Sequence, residues 1–109
     1  LFSAGADPAV VARAWEIALE QPVTGLVAAQ ETIRDRPDSR PTLATIDVPV
    51  LVLVGEEDGV TPPEDAKAMA AAIDRSRLVR VTGAGHLAPL ERPDEVAEAL
   101  AGFLAEVSA

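Results

Sequence analysis

The chain contains a single histidine, His86, so any chemistry that needs an imidazole must use it. A general-base imidazole works when a carboxylate holds its far nitrogen in one tautomer and stabilises the imidazolium that forms. Asp58 is the candidate for that carboxylate, because it directly precedes Gly59-Val60-Thr61-Pro62, where the chain enters a helix. Glu56 and Glu57 compete with it, but the shorter aspartate side chain is easier to hold rigidly. Each residue also has a plain structural reading. Taken alone, His86 is more readily a surface-loop histidine with no chemical task, and the three acids are a solvated turn closing a strand. A magnesium or calcium site at the acids would need loop ligands at regular spacing, and the sequence lacks them. Gly83 and Gly85 each could simply end a strand; together they let the chain turn tightly, so that the next side chain faces back over a sheet.

The elements that must position these residues lie in the second half of the chain. Val50-Leu51-Val52-Leu53-Val54 is continuously apolar, which predicts a strand covered on both faces and ending at Gly55. Thr61-Pro62-Pro63-Glu64 has capping-box spacing, and Ala66, Met69, Ala70 and Ile73 follow as one helical stripe. Leu78 to Thr82 reads as a second strand, ending in Gly83-Ala84-Gly85-His86. Pro93, Asp94 and Glu95 open a last helix, whose core face is Val96, Leu100, Phe103, Leu104 and Val107. Strand, helix, strand, helix is the pattern of a parallel βαβ unit, with an expected right-handed crossover. Ligands in such sheets bind beyond the carboxyl ends of the strands, and Asp58 and His86 both fall there. Strands about 4.8 Å apart can reunite two residues that lie 28 positions apart in sequence.

Residues 1–46 read as two short helices and a return loop. Asp7-Pro8 is a helix entry, followed by Val11, Ala14, Trp15, Ala18 and Leu19 at helical spacing, with Pro22 as the stop. Thr24 is placed to cap a second helix, with Leu26, Ala29, Gln30 and Ile33 on one face. Arg34 to Pro41, rich in proline and charge, reads as a loop. Trp15 is expected to pack in the interior rather than touch a ligand. The internal boundary falls near Ile46.

Composition narrows the classes further. With 109 residues, 49% hydrophobic and 25% charged, the chain is one globular domain or a piece of one, not a disordered segment. Residues 1–46 carry 4 basic and 6 acidic groups, and residues 47–109 carry 5 and 12, so the excess negative charge sits in the second part. A net charge of −9 makes nucleic acid and anionic membrane poor partners. The absence of cysteine excludes disulfides and thiolate chemistry and fits a cytoplasmic protein. The apolar run Val48–Val54 is too short to span a bilayer, and no basic-then-apolar leader opens the chain. Because the sequence begins at Leu1 and its only methionine is Met69, the chain is expected to have lost its start.

Four segments together resemble the C-terminal part of α/β-hydrolase fold enzymes: Val48-Pro49-Val50-Leu51-Val52-Leu53-Val54-Gly55-Glu56-Glu57-Asp58, Thr61-Pro62-Pro63, Gly83-Ala84-Gly85-His86-Leu87 and Leu90-Glu91-Arg92-Pro93. The closest likeness is to the ester and lactone hydrolase branch that includes 3-oxoadipate enol-lactonases. The resemblance implies that residues 47–109 are the closing strand-helix-strand-helix part of that parallel sheet, and that residues 1–46 are the end of a helical cap. It maps the triad acid onto Asp58 and the triad histidine onto His86, gives Glu91 and Pro93 a structural role in starting the last helix, and calls for no cofactor or metal. One member is missing. The nucleophile of that fold sits in G-x-S-x-G, and none of Ser3, Ser39, Ser76 and Ser108 has that context. Ser3-Ala4-Gly5 is half the pattern, with Leu1 at the first glycine position and no strand before it.

The expectation is therefore a fragment of a serine-type hydrolase of esters or lactones, inactive by itself and ordered beside a complement. That complement is the N-terminal part of the same enzyme, or a second copy paired through open sheet edges. An aspartate nucleophile (as in dehalogenases and epoxide hydrolases), C–C cleavage and perhydrolysis are open alternatives within the fold. So is a non-catalytic remnant or binding module that keeps Asp58 and His86 unused.

Overall fold

A computed structural model describes residues 1–109. Two parallel strands, β1 (Val50–Gly55) and β2 (Ser76–Val81), run in register from Val50 opposite Ser76 to Gly55 opposite Val81. The connection between them carries helix α4 (Pro63–Ala72). Before the sheet come α1 (Pro8–Leu19), α2 (Val23–Asp35) and the single turn α3 (Arg40–Leu43). After it come the turn α5 (Ala88–Glu91) and the long α6 (Pro93–Val107). No helix is long and apolar enough to cross a membrane.

The continuous apolar run of β1 is used on both faces. Val50, Val52 and Val54 pack with Leu78 against Ala66 and Ala70 of α4. Leu53 points the other way and joins Val79, Val81, Ala84, Ala88 and Val96 beneath α5 and α6. These are small clusters, and neither α1 nor α2 contains a buried residue. β1 is bonded to a strand on one side only, so its other edge is open.

Several elements follow local chemistry closely. Asp7 Oδ1 accepts the Ala9 amide at 2.9 Å, so the cap before Pro8 forms as its sequence suggests. Asp94 and Glu95 stand in the first turn of α6, where the helix dipole favours acids. Other details differ. Thr24 lies inside α2, which starts at Val23 after Pro22 with no side-chain cap. The stretch from Arg34 to Pro41 is not all loop: α2 runs on through Arg34 and Asp35, and α3 opens at Arg40, where the Arg40 amide donates to Asp38 at 3.0 Å and the first turn tolerates Pro41. β2 begins at Ser76, because pairing with Val50 extends it beyond its apolar residues, and it ends before Thr82. Leu100, Leu104 and Val107 are exposed on α6, leaving Val96, Ala99 and Phe103 as its half-buried contacts. Met69 is exposed on α4, whose stripe is buried only at Ala66 and at Ile73 just past its end. Trp15 is 62% exposed, contrary to the interior position its size suggested, since no layer covers that face of α1.

The carboxyl ends of the strands are drawn together by backbone bonds between the loops that leave them. Glu56 N donates to Val81 O at 3.0 Å, and Glu57 N to Ala84 O at 2.8 Å. This approach has no room for a side chain at Gly55, where a Cβ would meet the carbonyl oxygens of Ala84 and Gly85 and lie 2.7 Å from the Ala84 carbonyl carbon. Gly55→Ala is expected to destabilise the fold by about 2 kcal/mol. Gly102→Ala, where an added methyl meets nothing within 4 Å, should be neutral or gain up to about 1 kcal/mol. Thermal unfolding of the two variants checks this, and equal midpoints would contradict the close approach.

Candidate active site

Asp58 and His86 meet at the carboxyl edge of the sheet. β1 delivers Asp58 three residues past Gly55, and β2 delivers His86 after the Gly83–Gly85 turn, where Gly83 adopts a φ of 72°. His86 Nδ1 lies 3.0 Å from Asp58 Oδ2 and 3.2 Å from Oδ1. A carboxylate only accepts, so Nδ1 carries the proton and donates it, which leaves Nε2 as the basic nitrogen.

The Asp58 side chain is 6% exposed and that of His86 35%. Burial pushes the Asp58 carboxyl up, but the donors around it win. Oδ1 accepts the amides of Thr61 and Val60, each at 2.9 Å, while Oδ2 accepts the Thr61 hydroxyl at 3.1 Å. With the His86 ring as a further donor, these bonds hold Asp58 at about 2, below its ordinary 3.8. The result is a withdrawn carboxylate, ionised at neutral pH, whose orientation is fixed by its own loop.

The competing acids go elsewhere. Glu57 accepts the Ala4 amide at 3.1 Å, Glu56 stays at the surface, and the three acids form no group that could hold a metal ion. Ser3 is buried and meets the site through its backbone, with its amide donating to Glu91. Two partners were not anticipated from residue types. Thr61 does not cap α4, for Pro62 takes the cap position and the hydroxyl turns to Asp58, with Oγ1 also 3.4 Å from Nδ1. An aspartate followed at two and three positions by amides it can accept is an Asx-type turn, and that spacing was the available signal. Glu91 does not cap α6 but reaches back to the Gly85 amide at 2.9 Å.

The arrangement is a carboxylate–imidazole pair able to take up a proton at Nε2 and to stabilise the resulting cation. Around it, residues 13–108 match a protein family described as TAP-like protein. Among solved structures, an esterase from Thermogutta terrifontis is 43% identical over 69% of this chain and 28% of its own, with a TM-score of 0.67. CarC, a serine hydrolase involved in carbazole degradation, is 32% identical over 72% of this chain and 32% of its own, with a TM-score of 0.67. MenH from S. aureus is 29% identical over 84% and 41%, with a TM-score of 0.66. The chain thus spans well under half the length of each. No curated protein matches it.

Because Asp58 is depressed in the folded state, its contribution to stability is complete above its unfolded value near 3.8 and is lost as pH falls toward 2. Unfolding of the wild type and Asp58→Asn compared from about pH 6 down to about 2 should show a wild-type advantage that loses most of its size by the acid end. A difference independent of pH would contradict the ionised, donor-bound carboxylate.

Proposed function

The chain belongs to the TAP-like family of α/β-hydrolases, and on that premise we propose that it supplies the acid and the base of a serine hydrolase acting on carboxylic esters or lactones. Its β1–α4–β2–α6 unit is a C-terminal portion of that fold. The observation that carries the proposal is the 3.0 Å bond from Nδ1 to a carboxylate that its own loop keeps ionised.

In the proposed reaction a serine hydroxyl from outside residues 1–109 attacks the carbonyl carbon, and its proton passes to His86 Nε2. Asp58 stabilises the imidazolium while the tetrahedral intermediate forms. As that intermediate collapses, the carbon–oxygen bond to the alcohol breaks, and Nε2 returns the proton to the departing oxygen. Water then attacks the acyl-enzyme with His86 again as base. As this second intermediate collapses, the bond between the acyl carbon and the serine oxygen breaks, Nε2 returns the proton to that oxygen, and the carboxylic acid leaves. With a lactone, acid and alcohol remain in one molecule. Leu87, directly after His86, lines an apolar cavity of about 510 Å³ with Leu1, Phe2, Val11, Ala14 and Trp15. Such a lining suits a substrate with a hydrocarbon part, and it gives exposed Trp15 a place at the substrate.

The nucleophile and the rest of the sheet come, on this proposal, from the N-terminal part of the same hydrolase. In support, an open groove of about 710 Å³ runs along β1 from Val50 to Gly55 and reaches Asp58, Thr61 and His86. A strand pairing with β1 there would end beside the dyad.

His86→Ala is expected to lower turnover of an activated ester by the assembled enzyme by about four orders of magnitude, with an unchanged circular dichroism spectrum. Retained turnover would remove the assignment. Residues 1–109 alone should turn over no ester and should unfold broadly, with a concentration dependence. A sharp, concentration-independent transition of a monomer would refute the need for a complement.

A further inference from the structure

One carboxylate beside the dyad takes part in no step of that reaction. Glu91 ends α5, five residues after His86, and is half-buried. Its Oε2 accepts the Gly85 amide at 2.9 Å, and its Oε1 accepts the Ser3 amide at 2.7 Å. One side chain therefore joins the turn that carries the histidine to a segment more than 80 residues earlier in the chain.

The strap is held at two further points. His86 N donates to Leu1 O at 2.7 Å, and Glu57, in the loop after β1, accepts the Ala4 amide. Residues 1–4 thus lie as a strap across the turn. The contact is tight at Gly85, where a Cβ would stand 2.6 Å from Leu1 O and 2.8 Å from Ser3 N. Arg92, next after Glu91, completes the grip by donating Nε to Gly83 O at 3.1 Å.

Past Val81 the turn has no strand pairing, so its position is set by the bonds from Glu57 N to Ala84 O and from His86 N to Leu1 O together with the side chain that takes the Gly85 amide. The dyad bond is sensitive to that position. An N–H···O bond of 3.0 Å is lost when the donor moves by about half an ångström in length or tilts out of line. A carboxylate accepting two amides makes charge-assisted bonds, the strongest kind available for fixing a backbone.

We propose that Glu91 is a positioning residue: its carboxylate pins the Gly85 peptide to the Leu1–Ser3 strap and thereby seats the His86 ring on Asp58. It acts through the backbone and touches no reacting atom. The inference rests on Asp58 and His86 being the working pair.

The test uses the assembled enzyme with ¹⁵N-histidine confined to this chain, where His86 is the sole histidine. The readouts are the Nδ1–H proton resonance and the steady-state constants for an activated ester. The wild type should show an Nδ1–H signal protected from water. Glu91→Ala should lose it, and kcat should fall about tenfold to a hundredfold while KM stays within about twofold. Glu91→Gln keeps the length and one acceptor oxygen, so it should fall between the two. Glu98→Ala, an exposed acid on α6, should match the wild type. If Glu91→Ala fails to fold, Glu91→Gln decides on the same readouts. A variant that keeps both signal and kcat while the wild type shows the signal overturns the positioning role alone. A wild type without the signal overturns the dyad, and the positioning role with it.

Discussion

A carboxylate removed from water stays ionised only where donors replace the hydration it has lost. Asp58 is such a group, and the local structure is organised around supplying those donors. Two come from the backbone just after it and one from the Thr61 hydroxyl, so the loop that buries the charge also solvates it. The fourth is the ring of His86, the only donor that arrives from the other strand. Without the parallel register that ends β1 and β2 side by side, that ring could not reach. Without Gly55 and the amides of Glu56 and Glu57, the two loops could not close on each other.

The same requirement explains why precision is concentrated in so small a part of the molecule. The buried residues cluster around the two strands and the turn after β2, while α1 and α2 contain none. Fifteen large hydrophobic side chains are exposed, which is far from the economy of a self-contained domain of this size. An open groove along β1 borders the dyad, and an apolar cavity opens at Leu87, the residue after His86. The ordered polar centre is thus flanked by apolar surfaces of the kind that further chain or substrate would cover.

Much of this was legible in the residues. The unbroken apolar run of β1 announced cover on two faces, Asp7-Pro8 announced the start of α1, and the βαβ order placed Asp58 and His86 at one sheet edge. What escaped the sequence depends on competition between partners. Thr61 has both the spacing of a helix cap and the reach to Asp58, and the buried charge is the stronger attractor. Glu91 stands where an acid ordinarily serves the next helix, yet it accepts amides from Gly85 and Ser3, a contact no local pattern encodes. The start of β2 is set by its partner strand, not by its own apolarity. Size placed Trp15 inside, but a side chain is buried only where another layer exists to cover it.

The central claim is that in the reaction Asp58 acts only through His86. A double-mutant cycle of Asp58→Asn and His86→Ala, read as kcat/KM of the assembled enzyme on an activated ester, tests this most directly. The account predicts that Asp58→Asn costs activity in the presence of His86 and nothing further once His86 is gone. Losses that multiply across the two sites would show that the two residues act independently, and would contradict it.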